Sequence, residues 1–255
     1  MSTVDKAISL LELFSAEEPE IGLSELARRA EFDKATTRRL LVSLADHGLV
    51  EQDAITRNYR LGAGLSRLAR LREAHFPFLQ VALPVVRELA LHTSETVHLA
   101  EFSRGGLATI HVEESSKANR VSVAVGQLLP LHATASGIAF LAFSRPEFVN
   151  QCLGKSLKAF TAHTLTSRSQ VLDAIKTAAQ RGYSHGGQGF DEGVSSVAAA
   201  ILAPDGFAIG TISIASPLAR VSAAITRQHG EAAVAAARSI TSRLFGEPSS
   251  KRHAS

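Results

Sequence analysis

The sequence predicts an α+β chain in two parts. A winged helix-turn-helix over residues 1–62 is joined by a linker helix at 63–76 to a larger domain of strands and helices at 77–246. Three observations carry this reading. Apolar residues recur at spacings of three and four in three short segments before residue 47. A polar hairpin pattern follows them. From residue 96 the apolar period changes to two. The final stretch, EPSSKRHAS at 247–255, reads as a disordered tail.

Val4, Ala7, Ile8, Leu11 and Phe14 make the stripe of a first amphipathic helix, which the acidic run EEPE ends. A second helix is expected over LSELARRA, with Leu23, Leu26 and Ala27 inward. Glu31-Phe32-Asp33 makes the break. Asp33 then caps a third helix at about 34–46 by accepting from the free amide near Thr36. Thr37, Leu40, Leu41 and Leu44 form its inner stripe, and Gly48 closes it. Leu49-Val50-Glu51, a polar turn and Tyr59-Arg60-Leu61-Gly62 make a hairpin wing.

Two short helices with a tight turn, the second basic at its start, are the pattern that places a recognition helix in the major groove. Lys34, Thr36, Arg38 and Arg39 lie off or at the edge of the inner stripe, so they are candidates for DNA contact. Arg28 on the second helix and Arg57 and Arg60 on the wing are candidates for the phosphate backbone. Total charge says little: residues 1–75 hold 11 Lys and Arg against 12 Asp and Glu, a net of −1. Placement matters more, because a neutral domain can still offer one basic face. The competing reading is a small interaction domain with a solvated basic face.

Residues 63–75 are helical in pattern and basic, Pro77 interrupts, and a further helix at about 78–92 carries Leu79, Leu83, Val86, Leu89 and Ala90 on one side. TVHLAEF and LATIHVEE flank Ser-Arg-Gly-Gly and read as a hairpin. Pairing Ser103 with Gly106 puts Val97 opposite Val112 and Leu99 opposite Ile110, all on one face. The same register sets His98 opposite His111 and Thr96 opposite Glu113. His98, His111 and Glu113 are a donor set for a metal; a polar sheet face, at a subunit contact, is the plainer reading, and no metal or cofactor is assigned. A third strand is expected from Arg120 to Val125, then helices at about 135–143, 167–180 and 221–245.

The composition, 45% hydrophobic and 20% charged, suits folded cores. No run of about 18 apolar residues is present, and Asp5 and Glu12 interrupt the N-terminus where a signal peptide would be apolar. A cytoplasmic chain without membrane contact is expected. The single cysteine, Cys152, permits no internal disulfide or cysteine-cluster zinc site and reads as a structural thiol at a helix end. Ser136, His132, Asp191 and Cys152 are the residues an enzyme would draw on. No G-x-S-x-G elbow, Walker loop, dinucleotide fingerprint or H-E-x-x-H is present, so no enzyme is expected. A module acting only through protein partners is the third reading, and the basic third helix argues against it.

Both halves resemble the IclR family of bacterial regulators. The N-terminal stretches TVDKAISLLELF, LSELARRAEFDKATTRRLLVSLADHGLVEQ and NYRLGAGLSRLA are similar to the family's leucine-rich first helix, L-x-E-L-A, recognition helix and Y-x-L-G. Ala35 and Asp33 stand where Ser and Pro are common. Further on, GQLLPLHATASGIAFLAF, GFDEGVSSVAAAI and AIGTISIASPLAR resemble the motifs of the family's effector domain, with Ile138, Ser196 and Ala215 departing from the usual Lys, Cys and Ser. The resemblance implies a GAF-like α/β domain, a central antiparallel sheet with helices packed on it. It implies an effector pocket lined by Gly126, Gln127, Leu128, Ala135, Ser196 and Ser213. For each serine, core packing with a local backbone bond is the equal alternative. It further implies a homodimer or tetramer on a palindromic double-stranded operator, an effector that is a small organic acid or aromatic catabolite, and a repressor more than an activator.

Overall fold

The computed structural model describes residues 1–15, 17–103, 106–154 and 156–246. The expected tail at 247–255 lies outside the described residues. The chain divides into two compact units, with the break between Pro77 and Phe78.

The first unit holds helices α1 (Thr3–Leu11), α2 (Leu23–Ala30), α3 (Lys34–Asp46) and α4 (Ala63–His75). Its strands β1 (Glu20–Ile21), β2 (Val50–Gln52) and β3 (Tyr59–Leu61) form a small antiparallel sheet in the order β1-β3-β2. Local chemistry sets the boundaries. The Ser2 hydroxyl and Asp5 carboxylate make a capping box on α1. Asp33 caps α3, accepting from the Thr36 amide at 2.8 Å. Asp33→Ala should therefore lower the stability of this unit by about 1 kcal/mol, read as a shift in urea midpoint. The core joins Leu10, Ile21, Leu26, Leu40, Leu41, Leu44, Val50 and Tyr59.

Two expectations for this unit need correction. Val4 and Ile8 are 70% and 44% exposed, and the residue α1 buries is Leu10. The helix stops at Leu11, so Phe14 approaches the core from the turn beyond it. The acidic run is also not simply a break: Glu20-Ile21 pairs with Arg60 and Tyr59 and adds a third strand to the wing.

The second unit is a six-stranded antiparallel sheet in the order β6-β5-β4-β9-β8-β7. Its strands are β4 (Thr96–Ser103), β5 (Gly106–Glu113), β6 (Leu128–Leu129), β7 (Ser184–Gly187), β8 (Val194–Leu202) and β9 (Ala208–Pro217). One face packs against α5 (Phe78–Thr93) and α9 (Ala223–Phe245), burying Val97, Leu99, Val197, Ile212 and Ile214. The other packs against α6 (Ala135–Ala142) and α8 (Arg168–Arg181), with α7 (Pro146–Cys152) beside them, over Ala100, Leu107, Leu129, Ile138, Phe140 and Val171. Cys152 lies at the end of α7, half-buried against this second core.

The β4–β5 hairpin departs from the expected register. Ser103 does face Gly106, and pairing holds to Ala100 opposite Thr109. A bulge then shifts it by one, so Leu99 faces His111, His98 faces Val112 and Val97 faces Glu113. A bulge admits one unpaired residue and turns the strand's later residues to the other face. His98 and His111 therefore lie on opposite faces of the sheet. His111 Nε2 bonds Glu113 Oε1 at 2.9 Å, and the proposed three-donor metal set is not assembled. Among the described residues no group of three His, Cys, Asp or Glu is placed to hold a metal.

The segment expected as a third strand, Arg120 to Val125, joins no strand. It runs as a strap between β5 and β6. The Thr96 hydroxyl donates to the Val121 carbonyl at 2.7 Å. At the far end the Gly126 amide donates to Thr109 O and the Thr109 amide to Gln127 O, at 2.7 and 2.9 Å. The partner of β5 is instead Leu128–Leu129.

Candidate functional site

The first candidate surface is the outer side of α3. Burial of Thr37, Leu40, Leu41 and Leu44 fixes the helix's rotation and leaves Lys34, Arg38 and Arg39 exposed, with Thr36 half-buried. Lys34, Arg38 and Arg39 have no ion-pair partner among the described residues, so their charges are available to an external anion. Arg57, at the wing tip with φ +62°, is likewise exposed. Arg28 and Arg60 are committed differently. Arg28 donates to both oxygens of Glu25, at 2.9 and 2.5 Å. Arg60 reaches Glu51 at 3.3 Å and Glu20 at 3.6 Å. Each must trade a carboxylate for a phosphate to meet DNA. Arg29, bonded to Glu18 and Glu25, braces the turn before β1.

The second is a pocket between the sheet and the start of α6, with about 550 Å³ of space between atoms, its mouth included. Register builds its floor. Ser213 and His98 face each other in one cross-strand row, and Ser196 and Ala215 in the next. The strap supplies Val121, Ser122 and Val123 as one wall, and Gln188, Phe190 and Asp191 supply another. The α6 helix is capped by Thr134, whose hydroxyl accepts from the Gly137 amide at 3.0 Å. Its first amides, at Ala135 and Ser136, have no partner within the helix and lie at the pocket, where backbone N–H groups suit an anion. Gly186 lets this approach occur, because a Cβ there would stand 3.1 Å from the Ala135 nitrogen.

Of the six expected effector residues, Gln127, Ala135, Ser196 and Ser213 line this pocket. Gly126 and Leu128 do not. Alternation along β6 turns Leu129 inward and leaves Leu128 56% exposed, and Gly126 sits in the left-handed turn before it. Ser213 also donates to Val197 O at 2.9 Å, so a backbone bond already occupies its proton. Residues not anticipated include His98, Ser136 and Gln188. His98 comes here by the regular alternation of β4, which pairs without a break along β9 and sets it on the face away from Val97 and Leu99; the bulge lies on β5 and moves His111, not His98.

His98 is buried, and Ser136 Oγ lies 3.4 Å from its Nε2. Its Nδ1 is buried with no hydrogen-bond partner. Burial pulls its pKa down to about 4, so the ring is neutral. A serine–histidine contact invites a nucleophile reading. Among the described residues no carboxylate orients this imidazole, and the contact is long, so no activating third group stands beside it. Partial burial also pushes the Asp191 carboxyl up.

The titration of His98 makes a signed prediction. The unfolded ring, near 6.5, takes a proton that the folded ring resists until about 4. Stability is therefore lost as pH falls through that window, by about 2 kcal/mol between pH 7 and pH 5. His185 and His229 are shifted the same way by burial. The His98 share is the difference in urea-midpoint slope between wild type and His98→Gln, and equal slopes would refute it.

A charge cluster around the buried Glu95 anchors the strap. Glu95 accepts from Arg220 at 2.8 Å and Lys117 at 2.8 Å, while Arg220 also donates to Asn119 O at 2.6 Å. Burial works to raise the Glu95 carboxyl, but the bonds from Arg220 and Lys117 outweigh it and leave it lowered.

Residues 74–242 match the family described as bacterial transcriptional regulator IclR C-terminal, and residues 3–54 match the IclR helix-turn-helix domain. The chain belongs to the IclR family. This IclR-family chain is 29% identical to the HTH-type transcriptional regulator KdgR of Dickeya chrysanthemi, over 96% of its own length and 80% of the relative's. It is 27% identical to the transcriptional repressor IclR of Escherichia coli K12, over 94% and 89% of the two chains. Its fold superposes on a solved IclR-type regulator from Silicibacter sp. TM1040 with a TM-score of 0.87 and 38% identity, covering 96% and 97% of the chains. An IclR homologue of Microbacterium hydrocarbonoxydans complexed with 4-hydroxybenzoate shares the fold, with a TM-score of 0.79 and 23% identity over 96% and 100% of the chains. The IclR-family chain is thus a DNA-binding transcriptional regulator with a C-terminal effector-binding domain, and not an enzyme.

Proposed function

We propose that this regulator represses transcription from a palindromic operator and is released or retained by a small organic acid or aromatic compound. The observation that carries the DNA half is the row of exposed, unpaired Lys34, Arg38 and Arg39 on a helix whose other side is core. In this reading residues 1–62 bind the duplex. Lys34, Thr36, Arg38 and Arg39 enter the major groove, and Arg28, Arg57 and Arg60 meet phosphates. Residues 63–76 link this domain to the effector domain at 77–246, where Gln127, Ala135, Ser196 and Ser213 contact the ligand.

A palindrome is read by two recognition helices about one DNA turn apart, so the working form is a homodimer or a tetramer built from dimers. Operation in the cytoplasm follows from that role; among the described residues no helix is long and apolar enough to cross a membrane. The relatives named as repressors support the sign. The effector acts by binding the DNA-competent and incompetent forms unequally.

The test is selection of genomic fragments by the purified chain at physiological salt, followed by sequencing. A recovered palindrome supports the reading, and its neighbouring genes nominate ligands to titrate. Fragments sharing no sequence and lost together as salt rises would mean phosphate attraction alone and would refute it.

A further inference from the structure

We propose that His98 and Ser136 set the effector specificity of the pocket: they bind an uncharged hydroxyl or carbonyl oxygen of the ligand, and the ligand carries at most one negative charge. This rests on the reading of the pocket as the effector site.

Two independent features carry it. The first is the charge of the lining. Among the described residues no lysine or arginine lines the pocket, and the ionisable side chains that do are His98 and Asp191. Among the described lining residues the positive end is that of the α6 N-terminus, worth roughly half an elementary charge. One carboxylate can sit on the Ala135 and Ser136 amides, but a second anionic group would meet Asp191 or an apolar wall of Val121, Val123 and Phe190. Desolvating an anion without a partner is unfavourable, so dianions are excluded.

The second is the unmet hydrogen bond. His98 is 6% exposed and its Nδ1 has no partner, although buried polar atoms are nearly always paired. Ser136 Oγ faces Nε2 from the helix side. The neutral ring offers one N–H donor and one bare nitrogen, and the serine hydroxyl can give or take a proton. Such a pair matches an oxygen that is itself donor or acceptor without charge. Ser196, two residues from Ala198 in the same sheet row system, extends the hydroxyl-lined floor.

The experiment measures melting-temperature shifts and Kd for the full chain with matched probes at equal millimolar concentration. Phenol and catechol are uncharged, benzoate and 4-hydroxybenzoate are monoanions, and phthalate and glycerol 3-phosphate are dianions. Hydroxyl-bearing probes should stabilise the chain, 4-hydroxybenzoate should bind about tenfold tighter than benzoate, and the dianions should give no shift. His98→Leu should erase the tenfold preference, and His98→Gln, which keeps a donor and an acceptor, should restore part of it. Ser136→Ala provides a second route if His98→Leu melts without ligand. Dianions binding as well as monoanions, or a hydroxyl preference that survives both His98→Leu and Ser136→Ala, would overturn the proposal while leaving the pocket an effector site. A wild-type chain that answers to none of the probes overturns the pocket as an effector site, and the role of His98 with it.

Discussion

Gly137→Ala is expected to lower the stability of the effector domain by about 3 kcal/mol or more. The sign is not the usual one. Alanine replacing glycine inside a helix gains up to about 1 kcal/mol from propensity. Here a Cβ would lie 2.3 Å from Leu131 O and 2.4 Å from Leu131 Cα, with the Leu131 carbonyl carbon at 2.5 Å. These are backbone atoms, so no side-chain rotation relieves the overlap. Either α6 retreats from the Pro130–Ala133 turn or the turn itself moves. Both shift Ala133 and Ala135, which line the pocket. The variant should show a lower urea midpoint for this domain and weaker effector binding together. A midpoint equal to or above wild type would mean that the contact is looser than the structure has it.

Replacing Arg38 and Arg39 together by alanine should weaken operator binding by about 3 kcal/mol or more, over a hundredfold. Their side chains make no ion pair among the described residues, so the loss carries no internal compensation. Arg28→Ala should cost less, because its guanidinium is already held by Glu25 and only a net exchange of partners is lost. Salt titrations separate the two kinds of contact. A lost phosphate contact lowers the slope of log K against log salt by about one, whereas a lost base contact relaxes sequence preference instead. Unchanged operator affinity in the double variant would remove α3 as the recognition helix.

Where a single local cause dominates, the sequence was a sufficient guide. The bounds of α3 follow from the Asp33 cap and the Leu40, Leu41 and Leu44 stripe, and the structure returns them as expected. The cores and most helices are legible for the same reason. The misses share another cause: each depends on contacts between segments distant in sequence. The stripe with Val4 and Ile8 was periodic, but α1 turns Leu10 toward α3 and leaves those two in solvent. The valines of 121–125 alternate as a strand would, yet β5 takes Leu128–Leu129 as its neighbour. In the pocket, four of six residues carried over from family motifs do converge. His98 escaped notice as a pocket residue because its side of the hairpin reads as a polar face, whereas α6 covers that side of the sheet and buries it.

The strap has a consequence for how the sensor samples its surroundings. It is pinned at Val121 by Thr96 and at Gly126 and Gln127 by Thr109, with Glu95, Lys117 and Arg220 locking its root. Between those pins, Ser122 to Val125 contribute no rung to the sheet ladder. Lifting that stretch would break no strand pairing. The wall of the pocket formed by Val121, Ser122 and Val123 is thus held by side-chain and turn bonds, and its floor by the strand ladder.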